Sequence, residues 1–235
     1  MLTQASFDVA EKPPLYEPDG EGGWIVHDEA YTEEEAAYWT AVETQKCARS
    51  ATYYATRYCY TINEHLDDPY GAPPEISLVP SGKHAPNGRD WIHPTAVLSA
   101  FFPVRDVLVE KSRDMMVSWV AMVAVSHDLM FRRNWKVMTL SRIEDLVDDG
   151  GENATVDSLH GKVLFIYNHL PRFLRDGATL EFRKLRIVNA AADVHVSGFS
   201  ATPSAGRGPK WQRAIIDEFA WVGHSEQVMA SVTRA

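Results

Sequence analysis

Apolar and polar positions alternate with different rhythms in the two parts of this chain, and the change falls in residues 64–90. Before it, residues 1–31 hold scattered Asp, Glu, Pro and Gly and read as an extended, flexible acidic lead-in. Thr32 followed by Glu35 has the spacing of a capping box, with Thr32 as N-cap and Glu35 at the third helical position. A helix is expected from there to about Ser50. A second, aromatic-rich helix follows through Tyr53, Tyr54, Tyr58 and Tyr60. Residues 64–90 are dense in Pro and Gly, read as a long irregular connection, and carry the main boundary. The helical N-terminal region with this connection is expected to span residues 32–90.

Residues 91–235 read as one core domain. Val104–Glu110 predicts a short strand. Val117–Met130 is almost continuously apolar and long enough to be a buried helix. Trp135–Leu140 is a second strand, and the acidic stretch Ile143–Asp149 is helical. Lys162–His169 runs on toward Pro171. Thr179–Arg183, Leu185–Asn189 and Val194–Gly198 are three β-like runs. Ser200–Pro209 is a loop, and Arg213–Asp217 is an apolar strand with Glu218 at its end. Strands alternating with helices predict an α/β fold with a largely parallel sheet.

Composition is that of a globular protein. Hydrophobic residues make up 45% and charged residues 23% of the 235 positions, which argues against wholesale disorder. The longest apolar runs fall short of the ~20 residues a membrane span needs. The first residues have neither a basic start nor an apolar stretch, so no secretory signal is read there. Lys and Arg number 23 against 32 Asp and Glu, a net charge of −9. Bulk electrostatics therefore does not make the chain a polyanion binder, and contact with nucleic acid needs a local patch. Cys47 and Cys59 lack the spacing of a zinc site and are expected to be reduced thiols of a cytoplasmic protein.

Two strand ends carry candidate chemistry. Around Lys111-Ser-Arg-Asp-Met-Met-Val-Ser-Trp119 a strand leads through a polar loop into the buried helix. Backbone N–H groups at a helix start can face an anion, and a hydroxyl there can reach Mg²⁺. Ser118 stands where that hydroxyl belongs, and Lys111 and Arg113 supply positive charge. The strict phosphate-loop pattern G-x-x-x-x-G-K-[ST] is not met, since Met116 stands where glycine is expected and Val117 where the usual lysine would be. The second strand end is Ala214-Ile-Ile-Asp-Glu218. A strand closing on Asp then Glu offers one carboxylate for a metal and one for a water. Each segment alone also fits an ordinary connection. Their order and their separation by intervening strands favour a nucleotide site.

These segments resemble the large subunit of phage terminases, the ATPases that drive DNA into procapsids. Lys111–Trp119 is similar to that family's deviant Walker A loop, with the lysine at the front of the loop. Leu140–Asp145, Phe165–Leu174 and Ser200–Gly208 resemble its later segments, and Ile215–Glu218 resembles Walker B. The aromatic stretch Ala51–Tyr60 is similar to the helix that opens many of these proteins, so the resemblance covers roughly residues 50–225. It implies a RecA-like P-loop NTPase core of three layers, binding ATP with Mg²⁺. Carried over, the loop residues Lys111, Ser112, Arg113, Asp114, Met115, Met116, Val117, Ser118 and Trp119 would cradle the nucleotide. Lys111 would contact the β- and γ-phosphates, Arg113 would act on the γ-phosphate in cis, Ser118 and Asp217 would hold Mg²⁺, and Glu218 would be the catalytic base. The resemblance also implies double-stranded DNA, a portal protein, a small terminase subunit and a homo-oligomeric ring as partners, in the host cytoplasm and without a membrane. The chain is expected to be the ATPase part alone, ending soon after Walker B without the coupling motif and nuclease domain. A helicase-like translocase of the same fold, and a non-catalytic remnant or interaction module, are the alternatives.

Other residues have plainer readings. Asp193 and His195 lie two apart on one expected strand face and suggest a metal pair, but no further ligand is evident. Arg132, Arg133 and Lys136, and Arg183, Lys184 and Arg186, fit solvated element ends better than a DNA surface. Tyr53, Tyr54, Tyr58 and Tyr60 fit helix packing better than base stacking. Trp91 is a candidate adenine contact. Met115, Met116, Met122 and Met130 are most simply core.

Overall fold

A computed structural model gives the fold and describes residues 12–19, 23–62, 75–77, 106–110, 116–202, 205–207, 209–222 and 225–233. Two short antiparallel hairpins belong to the first part: β1 (Tyr16–Pro18) with β2 (Trp24–Val26), and β3 (Tyr60–Ile62) with β4 (Glu75–Ser77). Between them lie α1 (Glu33–Arg49) and α2 (Ala51–Tyr58). The capping box forms as expected: Thr32 Oγ1 accepts from the Glu35 N–H, and the Thr32 N–H donates to the Glu35 carboxylate. Tyr60 departs from the helical expectation, because the chain turns extended at Cys59 and Tyr60 opens β3.

The second part begins with α3 (Val117–Phe131), then β5 (Trp135–Ser141), the short α4 (Glu144–Val147), α5 (Leu159–His169) and the short α6 (Arg172–Arg175). Strands β6 (Leu180–Arg183), β7 (Arg186–Asn189), β8 (Val194–Ser200) and β9 (Arg213–Ile216) follow, and α7 (Ser225–Thr233) closes the described chain. Five strands form one sheet in the order β6-β7-β8-β5-β9. β5 is parallel to both β8 and β9, while β6 and β7 run antiparallel. The sheet is therefore mixed, not largely parallel. Only Lys184 and Leu185 separate β6 from β7, and a parallel crossover needs a dozen residues or more. The strand expected at Val104–Glu110 does not form over its described part: residues 106–110 carry no strand, and Leu108 is 86% exposed.

Alternation along β5 sorts its side chains between two cores. Val137 faces the larger one, shared with α3, α5 and the aromatic residues of α2. Met138 and Leu140 face the smaller one, closed by Val222 and by Val228 of α7. Helices thus cover both faces of the sheet. α3 is buried without interruption from Trp119 to Leu129. The N-terminal helices share its core: the Tyr54 and Ser126 hydroxyls lie 2.8 Å apart, and His127 Nε2 donates to the Cys47 carbonyl at 3.0 Å. Tyr53 and Tyr58 both donate to Glu43 at 2.6 Å, so the tyrosine group is a packing device.

Burial pushes the His127 imidazole down to about 4, against a partial counter-effect from its bond to the Cys47 carbonyl. The folded protein keeps this ring neutral where the unfolded chain binds a proton, between about pH 6.5 and 4. That stability is present above pH 6.5 and lost as pH falls toward 4, by on the order of 3 kcal/mol. Urea unfolding at pH 7 and pH 4.5 measures the loss. His127→Gln keeps a donor for Cys47 and is expected to remove most of the pH dependence; an unchanged slope would assign the titration elsewhere.

Candidate functional site

In open α/β sheets, ligands gather at the carboxyl ends of the strands. Here β5 and β9 end side by side, and α3 begins beside them. Ser118, second residue of α3, donates its hydroxyl to Asp217 Oδ2 at 2.7 Å across 99 positions of sequence. Asp217 follows the last residue of β9, and its N–H donates to the Leu140 carbonyl of β5, which fixes where the carboxylate emerges. Ser118 and Asp217 are both half-buried and so reachable.

The adjacent carboxylate points to another partner. Glu218 has a left-handed backbone, φ 53° and ψ 36°, and its N–H donates to Asp217 Oδ1 at 3.0 Å. Its carboxylate meets Arg142 Nε at 3.0 Å, from the residue after β5. Both side chains of that pair are partly exposed, so it is worth little as a stabiliser and is easily rearranged. The two neighbouring acids therefore have separate environments, one on a hydroxyl and one on a guanidinium.

The residues present fit Mg²⁺. A hydroxyl and a carboxylate are hard oxygen donors. Octahedral Mg²⁺ with oxygen at 2.0–2.1 Å sets neighbouring ligands about 2.9 Å apart, and the Ser118–Asp217 separation of 2.7 Å lies close to that edge. Among the described residues, no group of three or more His, Cys, Asp and Glu converges as a metal cluster. Two protein ligands suit a cation that keeps several waters and takes the rest from phosphate.

Met116 occupies the turn that enters α3 with φ 54° and ψ 15°, a left-handed conformation that glycine adopts without cost. A non-glycine residue there bears roughly 1–2 kcal/mol. The path of a glycine turn is thus retained with a side chain on it, and that side chain packs against the main core. Val117 and Trp119 are helical. The Trp119 ring is 8% exposed, edge-on to Phe165 at 5.6 Å with Lys162 over its face, so only its main chain is available to a ligand. Lys111, Ser112, Arg113, Asp114 and Met115 lie outside the described residues, as does Trp91. Asp193 is not on a strand: it turns with φ 53° just before β8, and its carboxylate pairs with His195 at 2.9 Å.

Two features escaped the sequence. Arg142 falls inside the Leu140–Asp145 segment of the resemblance, but nothing in the sequence pairs it with Glu218. The other is buried: Thr139 Oγ1 lies 2.9 Å from His160 Nε2, and His160 Nδ1 lies 3.2 Å from Asp148 Oδ2. This order of groups matches a nucleophilic triad, but Thr139, His160 and Asp148 are at most 1% exposed, so no substrate reaches them. Burial opposes the Asp148 charge. Hydrogen bonds from His160 and from the N–H groups of Gly151, Gly150 and Leu185 outweigh burial and hold its carboxyl below the usual range. Gly151 serves this node with φ 61° and with no room for a Cβ, which would come within 2.8 Å of the Lys184 nitrogen. The node is framework: it fastens the β6–β7 turn and α5 to the centre of the sheet.

No protein-family model matches the chain, and no curated protein matches it. No described helix is long and apolar enough to cross a membrane.

Framework and site separate in a stability test. Asp148→Ala strands buried N–H donors and is expected to cost at least ~3 kcal/mol in urea unfolding. Asp217→Ala removes a half-buried contact and is expected to cost under ~1 kcal/mol. Equal losses would make Asp217 part of the framework.

Proposed function

We propose that this chain binds a Mg²⁺–nucleoside triphosphate at the junction of α3, β5 and β9 and hydrolyses ATP as the motor part of a terminase-like DNA-packaging machine. The observation that carries the nucleotide reading is the Ser118–Asp217 contact, a hydroxyl at a helix start aimed at a carboxylate on a strand end. The left-handed turn at Met116 and the second carboxylate at Glu218 support it. The assignment to packaging rests on the resemblance of Lys111–Trp119, Leu140–Asp145, Phe165–Leu174, Ser200–Gly208 and Ile215–Glu218 to the terminase large subunit. DNA, portal, small subunit and ring assembly enter on that resemblance alone.

The chemistry divides among residues of this chain. Ser118 and Asp217 hold Mg²⁺, which neutralises charge on the phosphate oxygens. Glu218 takes the proton of the attacking water, and for that its carboxylate leaves Arg142. Arg142 then has a free guanidinium at the same strand end. Lys111 and Arg113 bring positive charge to the phosphates. A second reading, nucleotide binding without turnover, draws on the Arg142–Glu218 pair, since a carboxylate engaged by a guanidinium is not placed to take a water's proton.

Calorimetric titration with Mg-ATP and a phosphate-release assay test both readings. The parent chain is expected to bind and turn over. Glu218→Gln is expected to keep affinity within about threefold and lose at least ~100-fold in turnover. Ser118→Ala is expected to weaken Mg-ATP binding about tenfold or more, or ~1.4 kcal/mol. Binding with no turnover in the parent selects the second reading. No binding in the parent removes both.

A further inference from the structure

A separate cavity of about 260 Å³ lies where the β1–β2 hairpin meets the end of α5. The hairpin is fixed there by Trp24 Nε1, which donates to the His169 carbonyl at 2.8 Å. Tyr16, Trp24, Asn168, Leu170, Arg172 and Arg175 form most of its wall. Its polar chemistry is one-sided. Arg172 and Arg175 are among its lining residues, with Asn168 and Tyr16 beside them, and among the described residues no Asp or Glu lines it. Among the described residues, Arg175 Nε is buried without a hydrogen-bond partner, and its Nη1 donates to the Asn168 carbonyl at 3.4 Å. Arg172 meets Asp176 at 3.3 Å, but both side chains are more than half exposed, so that pair holds it weakly.

We propose that this cavity binds a phosphate group through Arg172 and Arg175. Guanidinium forks match tetrahedral oxyanions in bidentate geometry, and a wall with two arginines and, among the described residues, no carboxylate favours an anion. The volume is too small to enclose a whole nucleotide, since drug-sized ligands take about 300–1,000 Å³. The Trp24 ring is also engaged with Tyr58 at 5.4 Å and Tyr60 at 5.6 Å, so it is not a free platform for a base. The occupant is therefore a phosphate alone, or the phosphate end of something that extends into solvent. The site is independent of the nucleotide reading, because none of its lining residues belongs to the α3–β9 junction.

The phosphate has two sources, a free ion or monoester and a phosphodiester backbone. Inorganic phosphate and a short single-stranded oligonucleotide are the probes, each compared with chloride at fixed ionic strength in a thermal melt. Broadening of the phosphorus NMR line of inorganic phosphate is a second readout that does not depend on unfolding. Phosphate is expected to raise the melting temperature above the chloride control and to broaden its own line. Arg172→Ala, at an exposed position, and Arg175→Lys, which keeps charge but loses the fork, are each expected to raise the half-saturating phosphate concentration about tenfold, or ~1.4 kcal/mol. Ser118→Ala is expected to leave the phosphate response unchanged. An oligonucleotide effect lost in the same Arg variants extends the site to diesters; phosphate protection alone limits it to the ion and monoesters. Equal melts in phosphate and chloride with no line broadening would overturn the proposal. So would a response abolished by Ser118→Ala and untouched in the Arg variants.

Discussion

The enclosure of α3 is the constraint on which the rest of the structure depends. From Trp119 to Leu129 every residue of this helix is buried, so it cannot rest on a surface with one face in water. Val120, Met122, Val123, Val125 and Leu129 are essentially inaccessible, and burying each is worth roughly 1.5–3 kcal/mol. The sheet, α5 and the N-terminal helices supply the walls. Once α3 is held on all sides its two ends are placed as well. Its amino end, with Ser118, falls at the carboxyl ends of β5 and β9. Its carboxyl end is tied to the starts of the same strands through Asp128, which accepts from Trp135 Nε1 at 3.2 Å and pairs with Arg213 Nε at 2.5 Å. Removing one partner of such a buried pair typically costs 3–5 kcal/mol.

Charge is spent differently at the two levels of the structure. Asp128 and Asp148 are fully buried, multiply bonded and committed to holding elements together. Asp217 and Glu218 sit where strands end, with few partners and partial exposure. Half-buried Asp217 and exposed Glu218 are free to exchange a hydroxyl or a guanidinium for another ligand, and the buried acids are not. That contrast favours Asp217 and Glu218, over the triad-like Thr139–His160–Asp148 set, as the place for chemistry.

Much of this was legible in the sequence because local signals agreed with the fold. The capping box at Thr32, the apolar run of α3 and the apolar strands β5 and β9 are all short-range patterns, and each element stands within a few residues of its expected place. Order and spacing put the Ser118 and Asp217 segments in one candidate site, the resemblance puts the two residues on one ion, and the geometry brings their side chains within 2.7 Å. The mixed sheet was written in the chain as well, in the two-residue gap at Lys184–Leu185, but alternation of strands and helices outweighed it. Arg142 and the Asp148 node were not legible, because their meaning comes from partners 76 and 12 residues away that only the fold selects. Tyr60 misled because an aromatic repeat continues across the point where the backbone leaves the helix.

The central claim is that Ser118 and Asp217 act together on one Mg²⁺–nucleotide. A double-mutant cycle on Mg-nucleotide affinity, with Ser118→Ala, Asp217→Asn and the pair, tests it most directly. Two ligands of one ion are coupled: each single change is expected to weaken binding, and the double change to cost clearly less than the sum, by at least ~0.5 kcal/mol. Strictly additive losses, or affinities unchanged by either substitution, would contradict it.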